Sequence, residues 1–186
     1  MNQNDTNRIL VGDDDEDVLE SISLLLGRYG YEVVACGDAK DALSEFMTGR
    51  IDVVLTDIRM PYVSGIELLE KIHAHHAETP VILMTGYCDL NIAIAAIKKR
   101  AFDLVIKPYT PDDLIPTVEK AVRYNDLIQM EGNYKVMLED SVKKKTRELA
   151  DMLTTVKDMS TEVIHRLTTA AEYRDTETGA HISRMG

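Results

Sequence analysis

The chain has 186 residues, and its 32 acidic side chains against 21 Lys and Arg leave a formal net charge of −11. That length holds one domain and part of another at about 100–200 residues each, and a hydrophobic fraction of 45% supplies a packed core, which excludes global disorder. The acidity argues against nucleic acid as a partner, since phosphate contacts need clustered Lys and Arg.

No run approaches the ~18 apolar residues of a membrane span, and the polar start MNQNDTNR carries no signal stretch. A cytoplasmic protein without membrane association is expected. Cys36 and Cys88 lie far apart without metal-type spacing and are expected to be reduced.

Residues 1–123 alternate short apolar runs with amphipathic stretches. The runs are RILVG (8–12), EVVAC (32–36), DVVLT (52–56), PVILM (80–84) and FDLVI (102–106). They are continuous and rich in β-branched residues, as strands buried on both faces of a parallel sheet must be. Helices are expected between and after them at about 14–29, 38–49, 64–76, 88–100 and 110–124, several with a start signal such as Asp38 or Ser64. The pattern predicts an α/β domain with a doubly wound, five-stranded parallel sheet, whose site lies at the carboxyl ends of the strands.

All the prolines fall before residue 124, so the remainder is free to run as helix. Apolar positions recur at Leu127, Met130, Tyr134, Leu138 and Val142, then at Leu149, Met152, Val156, Met159 and Val163. The later set follows a heptad and the earlier fours read as a stutter, so residues 124–170 are expected to form a coiled-coil linker with a second copy. The alternative is one amphipathic helix folded back on its own domain. Beyond Thr176 the sequence reads as less helical.

The strand ends gather the chemistry. Asp13 and Asp14 follow the first run, Asp57 the third, Thr85 the fourth and Lys107 the fifth. Carboxylates crowded into one crevice repel by about 4 kcal/mol per pair at 4 Å and an effective dielectric near 20. Either a pKa rises or a cation enters. Oxygen ligands without imidazole or thiolate favour Mg²⁺, and a carboxylate beside Mg²⁺ is placed to attack a phosphoryl group while Lys107 and Thr85 hold its oxygens. Singly, each residue has a plainer role as a helix-terminal or surface charge.

The segments ILVGDDDED, LTDIRMPYVSGIELL, ILMTGY and AFDLVIKPY resemble the receiver domain of two-component response regulators, over about residues 7–123. The resemblance implies a flavodoxin-like fold. It makes Asp57 the phosphoacceptor, Asp13, Asp14, Asp57 and the Arg59 main-chain carbonyl the Mg²⁺ ligands, and Thr85 and Lys107 the readers of the phosphate. It also implies a cis Lys107–Pro108 bond and a sensor histidine kinase as partner. Three positions depart from the family's habit: Leu104 replaces a frequent aromatic residue, Gly12 an aliphatic one, and Arg100 a glycine ending the fourth helix.

The last stretch, AAEYRDTETGAHISRMG, resembles the opening of HD-GYP phosphodiesterases of cyclic di-GMP, so residues 171–186 are read as the truncated start of such an output domain. Glu177 and His181 would then be metal ligands. Neither the family's His-Asp pair nor its Gly-Tyr-Pro signature occurs in the chain, so activity is not expected here. Residual phosphodiesterase activity is one alternative; a histidine phosphotransfer or kinase dimerisation segment at His165 is a second. A DNA-binding output is disfavoured, because no basic face follows the receiver-like part.

Overall fold

The computed structural model describes the main chain of residues 6–86 and 90–182 and the side chains of 6–86 and 91–170. Five strands, β1 (Arg8–Gly12), β2 (Glu32–Cys36), β3 (Val53–Asp57), β4 (Val81–Thr85) and β5 (Asp103–Ile106), alternate with α1 (Glu16–Arg28), α2 (Ala39–Thr48), α3 (Gly65–His75), α4 (Leu90–Lys98) and α5 (Pro111–Ile182). The sheet is wholly parallel in the order β2-β1-β3-β4-β5. The winding direction reverses between β1 and β3, which leaves a crevice at their carboxyl ends.

Strand alternation sorts the core onto two faces. Ile9 and Val11 of β1, Val53 and Leu55 of β3, and Ile82 and Met84 of β4 join Ile22 and Leu26 of α1 and Leu114 and Val118 of α5. Leu10, Val54, Val81 and Leu83 point the other way, onto Phe46 of α2, Leu68, Leu69 and Ile72 of α3, and Ala96 of α4. Each such side chain removed from water contributes about 1.5–3 kcal/mol. β3 and β4 are buried at every position, whereas β2 and β5 are partly exposed because they are the edge strands.

Helix starts follow their side-chain chemistry. Asp15 caps α1 and Asp38 caps α2, each accepting from two main-chain N–H groups. Ser64 and Glu67 form a reciprocal capping box at α3. At α5 both the Thr110 N–H and its hydroxyl donate to the Asp113 carboxylate, while the Asp113 N–H donates to the Thr110 carbonyl. Arg100, at φ 61°, takes the left-handed conformation expected of the residue that ends α4, at a cost of roughly 1 kcal/mol for a side chain with a Cβ.

Two differences from the sequence expectation lie in α5. It is continuous to Ile182, so it does not break after Thr176; Gly179, the one glycine in that stretch, costs a helix only about 1 kcal/mol. The chain divides into two compact units, Met1–Glu131 and Gly132–Gly186, so the first unit reaches beyond residue 123. Asn125 is buried in it. In the second unit the described apolar residues, among them Leu149, Met152, Val156 and Met159, are all exposed.

Candidate functional site

The run Asp13-Asp14-Asp15 divides three ways at the end of β1. Asp13 is buried, Asp14 is exposed, and Asp15 turns away to cap α1. Register sets Gly12 beside Thr56, which places Asp13 next to Asp57, the buried last residue of β3.

From the end of β5, the Lys107 ammonium reaches between the two. Its Nζ lies 2.6 Å from Asp13 Oδ2 and 2.7 Å from Asp57 Oδ1. The other carboxylate oxygens take main-chain donors: the Asp15 N–H donates to Asp13 Oδ1 at 3.1 Å, and the Arg59 N–H to Asp57 Oδ2 at 2.6 Å. Lys107 is the cation that relieves the repulsion between the carboxylates. Burial is the largest single influence on its pKa and opposes the charge, but the hydrogen bonds and charges of Asp13 and Asp57 together outweigh it, and the pKa lies above the ordinary value.

Thr85 is buried at the end of β4, and its carbonyl accepts the Lys107 N–H at 2.7 Å. The Lys107–Pro108 bond is cis, as the resemblance implies. Asp13, Asp57, Lys107 and Thr85 are thus brought to one end of the sheet. Among the described residues no group of three or more His, Cys, Asp and Glu is gathered to hold a metal; Asp13 and Asp57 meet on Lys107, and Asp14 is exposed. The donor set still suits a hard cation: every ligand atom is oxygen, and one ammonium between two carboxylates leaves net negative charge.

The departures from the family's habit are accommodated. A Cβ on Gly12 would stand 3.2 Å from the Thr56 hydroxyl, so the missing side chain makes room for that threonine, whose Oγ1 donates to the Asp57 carbonyl at 3.2 Å. Leu104 packs half-buried on the core face of α2, α3 and α4. Glu177 and His181 lie on α5, but their side chains are outside the described residues, as are Cys88 and the N-terminal residues 1–5. His165 is exposed on α5.

Two residues escaped the sequence reading. A Cβ on Gly65 would sit 2.1 Å from the Asp57 carbonyl oxygen, so the loop after Asp57 closes only over a glycine. Tyr109 stands half-buried beyond the cis bond, its pKa raised by burial, with Lys107, Asp13 and Asp57 within electrostatic reach. Its place in AFDLVIKPY was the available signal.

A sheet of this order with an acid pair at the switch point and a lysine bridging it defines a receiver, and the chain belongs to that family: the response regulator receiver domain matches residues 9–119. It is the receiver domain of a two-component response regulator with a long C-terminal helix. Regulatory protein AtoC of Escherichia coli (strain K12) is 39% identical over 121 residues, which are 65% of this chain and 26% of AtoC. The cyclic di-GMP phosphodiesterase response regulator RpfG of Xanthomonas campestris pv. campestris (strain 8004) is 32% identical over 170 residues, 90% of this chain and 42% of RpfG. The crystal structure of a receiver domain protein from Clostridium thermocellum superposes with a TM-score of 0.63 at 36% identity, covering 66% of this chain and 98% of that one. The chain therefore spans less than half of either curated relative. Among the described residues no helix is long and apolar enough to cross a membrane.

Proposed function

We propose that this chain accepts a phosphoryl group on Asp57 and that the change in charge there controls an output carried beyond the receiver. The observation that carries this reading is the Lys107 ammonium bridging the buried Asp13 and Asp57 carboxylates. An Asp57 oxygen attacks the phosphorus of a phosphohistidine on a sensor kinase; the new bond is an acyl phosphate, and the P–N bond breaks with its electron pair returning to the histidine. Lys107 then faces the incoming phosphoryl oxygens, and Thr85 presents its hydroxyl at the neighbouring strand end.

Asp13, Asp14, Asp57 and the Arg59 main-chain carbonyl would hold Mg²⁺, which when bound neutralises charge on the transferring phosphoryl group. Asp14, exposed and unburdened by Lys107, is free to turn toward such an ion.

For the output we infer a cyclic di-GMP phosphodiesterase in the longer protein. Support comes from the likeness to RpfG, which continues over 170 residues where that to AtoC stops at 121. The exposed apolar stripe of α5 is assigned to a parallel coiled coil with a second copy of the chain.

Incubation with Mg²⁺ and a small acyl phosphate donor tests the site. Intact mass should rise by one phosphoryl group, Asp57→Asn should take none because an amide oxygen is a poor nucleophile, and Asp14→Ala should need more Mg²⁺. Equal labelling of Asp57→Asn and the parent protein would overturn the assignment.

A further inference from the structure

Asp52 is nearly fully buried at the opposite end of β3 from Asp57, with 1% of its surface exposed. A carboxylate so placed must be met by donors, or folding would protonate it or expel it. The Arg8 N–H donates to its Oδ2 at 2.8 Å. Its Oδ1 is met by Arg50 Nε at 3.3 Å, Asn125 Nδ2 at 3.3 Å and Gln129 Nε2 at 3.5 Å.

Asn125 and Gln129 are one helical turn apart on α5, past the part of the helix that closes the hydrophobic core at Val122. Next to them the Tyr124 hydroxyl donates to the Glu78 carboxylate at 3.0 Å, and its ring leans on Phe102. The helix is therefore held at residues 124–129 by polar bonds to the base of the sheet, and Asp52 receives two of them.

We propose that Asp52 is a socket through which the receiver grips α5 at Asn125 and Gln129, so that this stretch of the helix is held to the first unit by a charge-assisted joint. The joint is a structural property of the first unit and does not depend on what happens at Asp57. One strand carries both features: Asp57 ends β3, and Asp52 immediately precedes it. Two amides separated by one turn, the buried Asn125 and the exposed Gln129, converge on one buried carboxylate within the first unit.

Hydrogen exchange over residues 124–131 of the full chain reads the grip directly, because amide protection reports local opening. Gln, Glu and Lys have nearly equal helix propensity, so Gln129→Lys and Gln129→Glu differ in the charge shown to Asp52 and, within the helix, to Asp126 three residues back. Gln129→Lys should exchange more slowly than Gln129→Glu in this segment by about threefold to tenfold. Arg50 acts in the opposite sense, attracting Glu and repelling Lys, so it cannot produce that order.

In an Asp52→Asn background the difference should shrink to the share that Asp126 supplies, since the Asp52 anion is gone. Equal exchange of the two Gln129 variants, or a difference that persists unchanged without the Asp52 charge, would overturn the proposal. Should Asp52→Asn fold poorly, Asn125→Asp gives the second arm: a carboxylate set against Asp52 should raise exchange in 124–131 well above that of Asn125→Ala, and the same exchange for both would equally overturn it.

Discussion

Gly65 packs so closely on Asp57 that a Cβ there would stand 2.1 Å from the Asp57 carbonyl oxygen. The contact closes the loop that carries Arg59, whose N–H holds the Asp57 carboxylate. Gly65→Ala must push main chain against main chain, with no flexible side chain to yield. It should destabilise the receiver by roughly 1–3 kcal/mol in urea unfolding and slow phosphoryl acceptance even in protein that remains folded. An alanine variant with the parent's midpoint and labelling rate would contradict this.

Lys107→Met leaves the buried Asp13 and Asp57 without their shared cation. The loss at pH 7 should approach, but not reach, the roughly 3–5 kcal/mol of breaking a fully buried pair, because the lysine is partly exposed. Millimolar Mg²⁺ should stabilise this variant more than the parent. Urea midpoints at pH 7, with and without Mg²⁺, check both.

Several groups hold their protons more tightly in the folded chain. Burial, reinforced by Glu45, Asp41 and Asp38, pushes the Cys36 thiol up from 9.0 to about 11. Burial chiefly raises Tyr31 and Tyr109, and the bond to Glu78 raises Tyr124. Lys107 is raised too, the bonds and charges of Asp13 and Asp57 prevailing over burial.

For every one of these the unfolded chain releases its proton first as pH rises. Their stabilisation is complete below about pH 9 and is lost progressively above it. The urea midpoint should fall between pH 9 and 11, less steeply in Cys36→Ala over the same range. A midpoint constant to pH 11 would rule this out.

The strands were legible because their interiors are apolar on both faces, and the observed boundaries fall within a residue or two of DVVLT and its counterparts. Asp13, Asp57, Thr85 and Lys107 were legible because parallel winding puts successive strand ends side by side. The separate fates of Asp13, Asp14 and Asp15 were not, since three identical side chains are told apart only by where the backbone turns. Gly65 passed for the first residue of a helix. Asp52 stands at the margin of the apolar run DVVLT, and its meeting with Asn125 and Gln129 spans more than 70 positions, which no local pattern records.

The described apolar residues of the second unit are exposed in the single chain, and Leu149, Met152, Val156 and Met159 follow heptad spacing. Burying each between two helices should contribute about 1.5–3 kcal/mol, enough together to oppose the entropy of association. Val156→Glu forces a desolvated charge into the seam. Light scattering should show a dimer for the parent and a monomer for Val156→Glu, with phosphoryl acceptance unchanged. A parent protein monomeric at high micromolar concentration would leave the stripe without its second copy.

Asp57, and no neighbouring acid, is proposed to carry the phosphoryl group. Borohydride reduces an acyl phosphate to the alcohol, so an aspartyl phosphate becomes homoserine at the position that was phosphorylated. After reaction with an acyl phosphate donor and Mg²⁺, reduction and peptide mapping should find homoserine at position 57 alone, and none without the donor. Homoserine at position 13 or 14, or its absence from position 57 in protein whose intact mass had risen by one phosphoryl group, would contradict the account.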